Sequence, residues 1–380
     1  MPSEHDDFAT RLLAHFDAHR RDLPWRAPGV GTRRDPYAVL VSEAMLQQTR
    51  VATVQRYFPA WLVRFPDLAS LARAERDAVM RAWEGLGYYR RADALHRAAA
   101  ALTDDHAGEV PSDPDVLRGL PGIGPYSAAA IAAFAFDRRV VAVDANVRRL
   151  ACRLSGHRDA PRDGALAEEL LARGPAARHG DYAEALVELG ATVCTARSPA
   201  CHGCPVRPWC SAHAAGPEHF PRPRRKRAPP TRDRYAWVVR RDDAVLLERK
   251  HDGMLVGLWG FPQHDRPPEP TYTKGSERAD AQVEPTACRR LPEIRHAYTH
   301  FRLVLTPWLT DEDTTVTTES PREVPGDPAP ERRFAPWHQL PELAMSVVDR
   351  KVVAALVRHG YAPAKAVAAS SAAAPERGGS

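Results

Sequence analysis

The chain has 380 residues, 44% of them hydrophobic and 27% charged, with a formal net charge of +5. That length suits two domains, each with its own core. No apolar run approaches the ~20 residues that would cross a bilayer, so a membrane-spanning class is excluded. The mild positive charge permits a polyanionic partner without demanding one. Six cysteines and a start, MPSEHDDFATRL, with no basic and apolar leader argue against a secreted disulfide framework. We expect an intracellular, cytoplasmic, nucleoid-associated protein.

Residues 7–211 read as an all-α domain. FATRLLAHFDAHRRDL, YAVLVSEAMLQQTRVATVQRYFPAWLVRF and RDGALAEELLARG carry apolar residues at helical spacing, separated by short Pro, Gly and Asp breaks. Asp35 followed by Pro36 is a helix start, with Asp as N-cap and Pro in the first turn. Further on, LRGLPGIGPYSAAAIAAFAF (117–136) ends one helix near Leu117 and opens another at Pro125. Gly122 and Gly124 in the turn allow N–H groups to point outward at a helix start, where a phosphate can be held. An ordinary tight helix–helix turn is the plain alternative, against which a lone G-x-G would be weak evidence. L-P-G-I-G between two helices looks like the helix-hairpin-helix motif, which grips a DNA strand by its backbone. VVAVDANVRRL then places Asp144 after an apolar run, where the plain expectation is a helix N-cap.

Cys194, Cys201, Cys204 and Cys210 follow in the spacing C-x6-C-x2-C-x5-C. Four soft thiolates in one loop suit zinc or an iron–sulfur cluster. Zinc sites usually show two C-x2-C pairs and this loop (194–210) has one, which favours a 4Fe-4S cluster. Residues 212–232 read as a basic, Pro-rich linker, with five of the six residues 222–227 basic. The period then changes. Residues 234–250 read as two strands around an Arg-Asp-Asp turn, 296–310 as a further strand segment, and 345–360 as a closing helix. The second domain, 233–360, is therefore α+β, with polar Pro-rich loops at 264–287 and 311–330. Residues 361–380 read as a disordered tail.

Taken in order, the hairpin, the aspartate in V-D-x-N-V and the four cysteines resemble the endonuclease III superfamily of helix-hairpin-helix DNA glycosylases. LPWR (23–26), VSEAMLQQTRV (41–51) and GLGYYRRA (85–92) are similar to the MutY family of adenine glycosylases within it. The resemblance implies a base-excision-repair enzyme that flips adenine out of double-stranded DNA and hydrolyses its N-glycosidic bond. The implied substrate pairs are A:8-oxoguanine and A:G, and we expect a monomer. Glu43 would be the general acid and Asp144 the carboxylate facing the sugar, with Tyr126 and Asn146 in support. Leu23, Trp25, Arg26, Leu46, Val51 and Glu188 would surround the adenine. Gln48 and Tyr88 would wedge the base stack, with Thr49 and Leu86 near the opposite base.

Lyase members of the superfamily place a Schiff-base lysine directly after G-x-G-x. Here that position is Tyr126, and no lysine precedes Lys226 among the five in the chain. Imine chemistry needs an amine, so a monofunctional glycosylase is expected, the amine of Pro2 after Met removal being the one loophole. An endonuclease III-like glycosylase and AP lyase for oxidised pyrimidines is the alternative that this substitution opposes. A non-catalytic DNA-binding protein is opposed by the presence of both Glu43 and Asp144.

Residues 233–360 resemble the C-terminal Nudix-like domain of the same family through GMLVGLWGFP (253–262) and YTHFRL (298–303). The family's lesion-contacting loop has the form F-S-H. Tyr298-Thr299-His300 stands here, so Thr299 and His300 inherit that role. The stretch after Phe261 lacks the R-E-x-x-E-E carboxylates that hold magnesium in Nudix hydrolases, which implies a recognition module and not a pyrophosphohydrolase.

Overall fold

A computed structural model describes residues 4–26, 34–222, 228–250, 253–267, 288–311 and 331–366. The chain forms two compact units. One is built from residues up to Ala74 together with Arg91 to 226, and the other from Glu75–Arg90 together with 227 onward. The short stretch holding GLGYY thus goes with the second unit, although in chain order it lies inside the helical domain.

The first unit is helical. Its long elements are α1 (Glu4–His19), α2 (Pro36–Leu46), α3 (Val51–Arg64), α6 (Arg90–Asp105), α8 (Pro125–Phe136), α9 (Ala145–Ser155), α10 (Asp163–Leu171) and α11 (His179–Thr192). The short α4 (Leu68–Ala72) and α7 (Pro114–Arg118) complete the set among the described residues. Asp35 caps α2 as expected, accepting a bond from the Tyr37 N–H, with Pro36 in the first turn. The stretch 37–65, read as helical from its spacing, is two helices broken at Gln47–Arg50. Gln48 there has φ 58, a left-handed backbone adopted without glycine. α1, α9, α10 and α11 share one core around Phe8, Leu12, Val147, Leu150, Tyr182 and Leu186.

Residues 212–222 were expected to belong to the linker. They pack against α9: Ala212 and Phe220 are buried, and the N–H groups of Ser211 and Ala212 donate to Leu154 and Arg153. Residues 223–227, with most of the basic run, lie outside the described residues.

The second unit carries a mixed sheet of eight strands: β1 (Thr231–Arg241), β2 (Ala244–Arg249), β3 (Trp259–Gly260), β4 (Gln263–His264), β5 (Cys288–Arg290), β6 (Ile294–Ala297), β7 (Arg302–Asp311) and β8 (Arg332–Pro336). The order is β3-β2-β1-β7-β5, with β4 on β1, β6 on β7 and β8 on β2. β1 and β7 run parallel, pairing Trp237 with Trp308, and the remaining pairs are antiparallel. The expected Arg-Asp-Asp turn joins β1 to β2, with Asp242 at φ 47. The segment expected as one strand over 296–310 is a hairpin, β6 to β7, whose tip is residues 298–301. α12 (Val347–Arg358) closes the core through Val348, Val352 and Leu356, while α5 (Arg76–Ala82) belongs to the inserted stretch. Residues 361–366, expected as part of a disordered tail, instead end in a short helical turn, Ala364–Ala366, with Ala366 buried. Of the loops expected at 264–287 and 311–330, His264 and Asp311 end strands β4 and β7, and 268–287 and 312–330 lie outside the described residues, as do 367–380 and Pro2. So does most of the stretch where Nudix hydrolases hold magnesium.

Candidate functional site

α2 is apolar nearly all round, and it buries Glu43 on the same face as Val39 and Leu40, with Met45 buried on the far side. Burial raises the Glu43 carboxyl to about 8, and the nearby charges of Glu184 and Asp144 add to the effect. Tyr126, in the first turn of α8, hydrogen-bonds to Glu43 and its own hydroxyl is pushed up by burial. Burial and the neighbouring carboxylates thus both favour the protonated form of Glu43.

Asp144 is the N-cap of α9, so the plain structural expectation holds. Its Oδ1 accepts from the N–H groups of Asn146 (2.8 Å) and Val147 (2.7 Å), and Oδ2 accepts from Asn146 Nδ2 (2.8 Å). Three donors fix the carboxylate at the start of the helix, where the macrodipole is positive. Oδ2 carries only one of those bonds.

Gly122 has φ 76, and a Cβ there would lie 2.6 Å from the Cβ of Ala94, so both backbone and space demand glycine. Gly124 is different. It has ordinary φ, caps α8, and nothing lies within 4 Å of where its Cβ would be. The open side of the turn is thus at Gly124, where a backbone can come close.

Arg26 and Glu188, both expected beside an adenine, are already engaged with each other. Glu188 accepts from Arg21 Nε (2.7 Å) and Nη2 (2.9 Å) and from Arg26 Nη2 (2.7 Å). Burial opposes its ionisation, yet the Arg21 and Arg26 guanidiniums hold its carboxyl down at about 2. Arg26 also donates to Glu184 (3.0 Å), which pairs with Arg34. These charges tie Arg21, Arg26 and Arg34 to α11. Glu184, Arg34 and Arg21 were not legible in the sequence, because the partners stand some 150 residues apart and no spacing rule joins them. Leu23 and Trp25 are buried, with Trp25 edge-on to Phe58 at 5.6 Å, and Leu46 and Val51 are half-buried at the two helix ends.

The four cysteine thiols line one cavity with Leu150, Arg153 and Val206. Four thiols that line one cavity are a donor set that fits an iron–sulfur cluster. Arg153, fully buried in α9, donates to Cys194 Sγ (3.2 Å) and to the carbonyls of Thr195 (2.7 Å), Ala196 (3.1 Å) and Pro217 (2.7 Å). Arg149 donates to the Cys194 carbonyl (2.9 Å) and to Asn146 Oδ1 (3.0 Å), so hydrogen bonds run from Asp144 through Asn146 to the cysteine loop. These two arginines are four apart on α9. That spacing was the available signal.

In the second unit, Gly85, Gly87 and Tyr88 all have positive φ (97, 72 and 49), and Trp83 Nε1 donates to the Gly87 carbonyl at 3.0 Å. Leu86 is buried. Tyr88 hydrogen-bonds to Thr299, which with His300 is exposed at the β6–β7 tip. Residues 85–89 and 296–300 together line a cavity of about 210 Å³.

A model of the HhH-GPD superfamily of base excision DNA repair proteins matches residues 41–175, the iron-sulfur binding domain of endonuclease III matches 194–210, and a NUDIX domain matches 234–355. Fold and site together define a helix-hairpin-helix DNA glycosylase that carries a 4Fe-4S cluster and a Nudix-like domain. An adenine DNA glycosylase of Rattus norvegicus is 31% identical over 414 residues, covering 93% of this chain and 78% of that protein. One from Mycobacterium tuberculosis is 46% identical over 226 residues, covering 58% and 72%. The chain belongs to the adenine DNA glycosylase family. The solved structure of a thermostable thymine-DNA glycosylase is 27% identical, with a TM-score of 0.51 over 56% of this chain and 97% of that one. No helix among the described residues is long and apolar enough to cross a membrane.

The cluster, when bound, anchors the loop through four thiolates. The purified protein is expected to hold about four irons per chain. Stoichiometric zinc without iron after anaerobic purification would contradict this.

Proposed function

We propose that this glycosylase removes adenine paired with 8-oxoguanine or G, and that it does so without an efficient lyase step. The observation that carries the reading is a buried Glu43 whose protonated form is favoured, close to Asp144. An N-glycosidic bond breaks when the leaving base is protonated and the sugar's positive charge is met by a carboxylate. Glu43 gives its proton to adenine N7 as the C1′–N9 bond breaks and the bonding pair leaves with the base. Asp144 Oδ2 faces C1′ and forms a transient covalent bond that water resolves. Tyr126 and Asn146 hold these two groups. Arg26 and Glu188 act on adenine as a pair, with Leu23, Trp25, Leu46 and Val51 as the apolar wall. Gln48 and Tyr88 enter the base stack, Thr49 and Leu86 stand by the opposite base, and the Gly122–Gly124 turn holds a phosphate. The enzyme works as a monomer inside the cell.

The test is incubation with an A:8-oxoguanine duplex with and without hot alkali. Strand breaks are expected only after alkali, with little adduct trapped by borohydride. Breaks without alkali together with a strong adduct would show that an amine acts, and would end the monofunctional reading.

Thr299 is the hydroxyl in the second unit assigned to 8-oxoguanine, supported by its exposed place at the hairpin tip. Thr299→Ala is expected to cut the preference for A:8-oxoguanine over A:G by about tenfold, in line with ~1–3 kcal/mol for a base-edge contact. The ratio of the two binding constants at one salt concentration is the measure, because salt dominates absolute affinity. An unchanged ratio would remove Thr299 from the lesion contact.

A further inference from the structure

The turn between α2 and α3 is built on a contradiction. Gln48 is exposed at its tip in the left-handed region, φ 58, where a side chain is strained and glycine is the usual choice. Within the turn the Thr49 N–H reaches the Leu46 carbonyl at 3.2 Å, and Gln47 Nε2 at its start donates to Ser127 Oγ on α8 at 3.1 Å. Yet this is the tip that enters the DNA in the reading given above.

A further hold comes from α6. Arg91, in the first turn of α6, reaches the end of α2 with its guanidinium. Nη1 donates to the carbonyls of Ala44 (2.9 Å) and Met45 (2.8 Å), and Nη2 donates to Thr49 Oγ1 (2.9 Å). The carbonyls of a helix's last turn lack partners within the helix, and the end of the helix is negative, so a cation there is favoured twice over. Ala44 and Met45 are the two residues directly after Glu43. One planar fork therefore grips the backbone beside the acid and the turn that carries Gln48 and Thr49. A guanidinium can hold three acceptors in fixed directions, which an ammonium on a flexible stem cannot match.

We propose that Arg91 is a positioning residue that keeps the Gln47–Arg50 turn rigid against the DNA stack, so that entry of Gln48 drives adenine out toward Glu43. It rests on the assignment of Glu43 and Gln48 in the proposed function. Unstacking a base costs free energy, and a turn already strained at Gln48 yields first unless it is held. The bonds from Arg91 transmit that load into α2, the helix on which Glu43 sits.

The test uses the full chain and a duplex with 2-aminopurine in place of adenine, whose fluorescence rises on unstacking. A matched adenine duplex gives the single-turnover rate of base loss. Arg91→Gln is expected to slow the fluorescence rise and base loss by about tenfold each, since the bonds to Ala44, Met45 and Thr49 are lost together. Arg91→Lys, which keeps the charge without the fork, is expected to fall between that variant and wild type, and it decides the matter where the Gln variant does not fold. A fluorescence rise equal to wild type in Arg91→Gln, or wild-type behaviour of Arg91→Lys in both measurements, would overturn the proposal. If wild type itself released no adenine, the assignment of Glu43 would fail instead, so the two failures are distinguishable.

Discussion

Glu43→Gln is expected to abolish adenine release while leaving specific DNA binding in place. Glutamine keeps the size of the side chain and can still meet Tyr126, but it has no proton to give. The wild-type rate is expected to hold through neutral pH and to fall as pH rises through about 8, where burial finally lets Glu43 ionise. The same shift carries a stability sign. The folded carboxyl sits above its unfolded value of 4.5, so its contribution is complete below that pH and is lost as pH rises toward 8. The Gln variant lacks this loss. Its melting temperature is expected to exceed that of wild type at pH 8 and to approach it near 4.5. A variant retaining more than about a tenth of the single-turnover rate, less than ~1.4 kcal/mol of lost stabilisation, would show that another group supplies the proton.

Asp144→Asn is expected to cost at least about a hundredfold in the same assay, since a developing positive charge loses its counter-charge. The cap explains why the loss is expected to come with a folded protein. The amide oxygen can still accept from the N–H groups of Asn146 and Val147, as an N-cap asparagine does. The amide nitrogen would instead face Asn146 Nδ2, donor against donor, at the place where Oδ2 now accepts. Asn146 would have to turn, and its Oδ1 is the acceptor for Arg149. A modest loss of stability with a large loss of rate is therefore the expected pattern. Equal losses in both would reduce Asp144 to a helix cap.

Local chemistry was the legible part of the chain. Asp35-Pro36 opens α2, Pro125 opens α8 and Asp144 caps α9, because each signal acts within three residues of itself. The cysteine spacing was legible for the same reason, as a loop of 17 residues can close on one centre. The break at Gln47–Arg50 was not, since no Gly or Pro marks it and the side chain that holds it, Arg91, is 42 residues away from Thr49. The β6–β7 tip was missed because the residues at 298–301 are ordinary strand formers. Their turn becomes visible only through the register of Ile294 with Leu305 and Ala297 with Arg302. The environment of Glu43 lay furthest from sequence. An apolar helix announces that its glutamate is buried, but not that Glu184 and Asp144 come from two other helices to raise its pKa further.

The most direct test of the whole account is the identity of the base set free by the intact protein. Duplexes carrying A:8-oxoguanine, A:G or an oxidised pyrimidine opposite G would be incubated under single-turnover conditions, and the released bases separated and identified by mass. Free adenine from the first two duplexes, faster from A:8-oxoguanine, and no release from the third is the predicted result. Release of the oxidised pyrimidine with adenine left in place would contradict it.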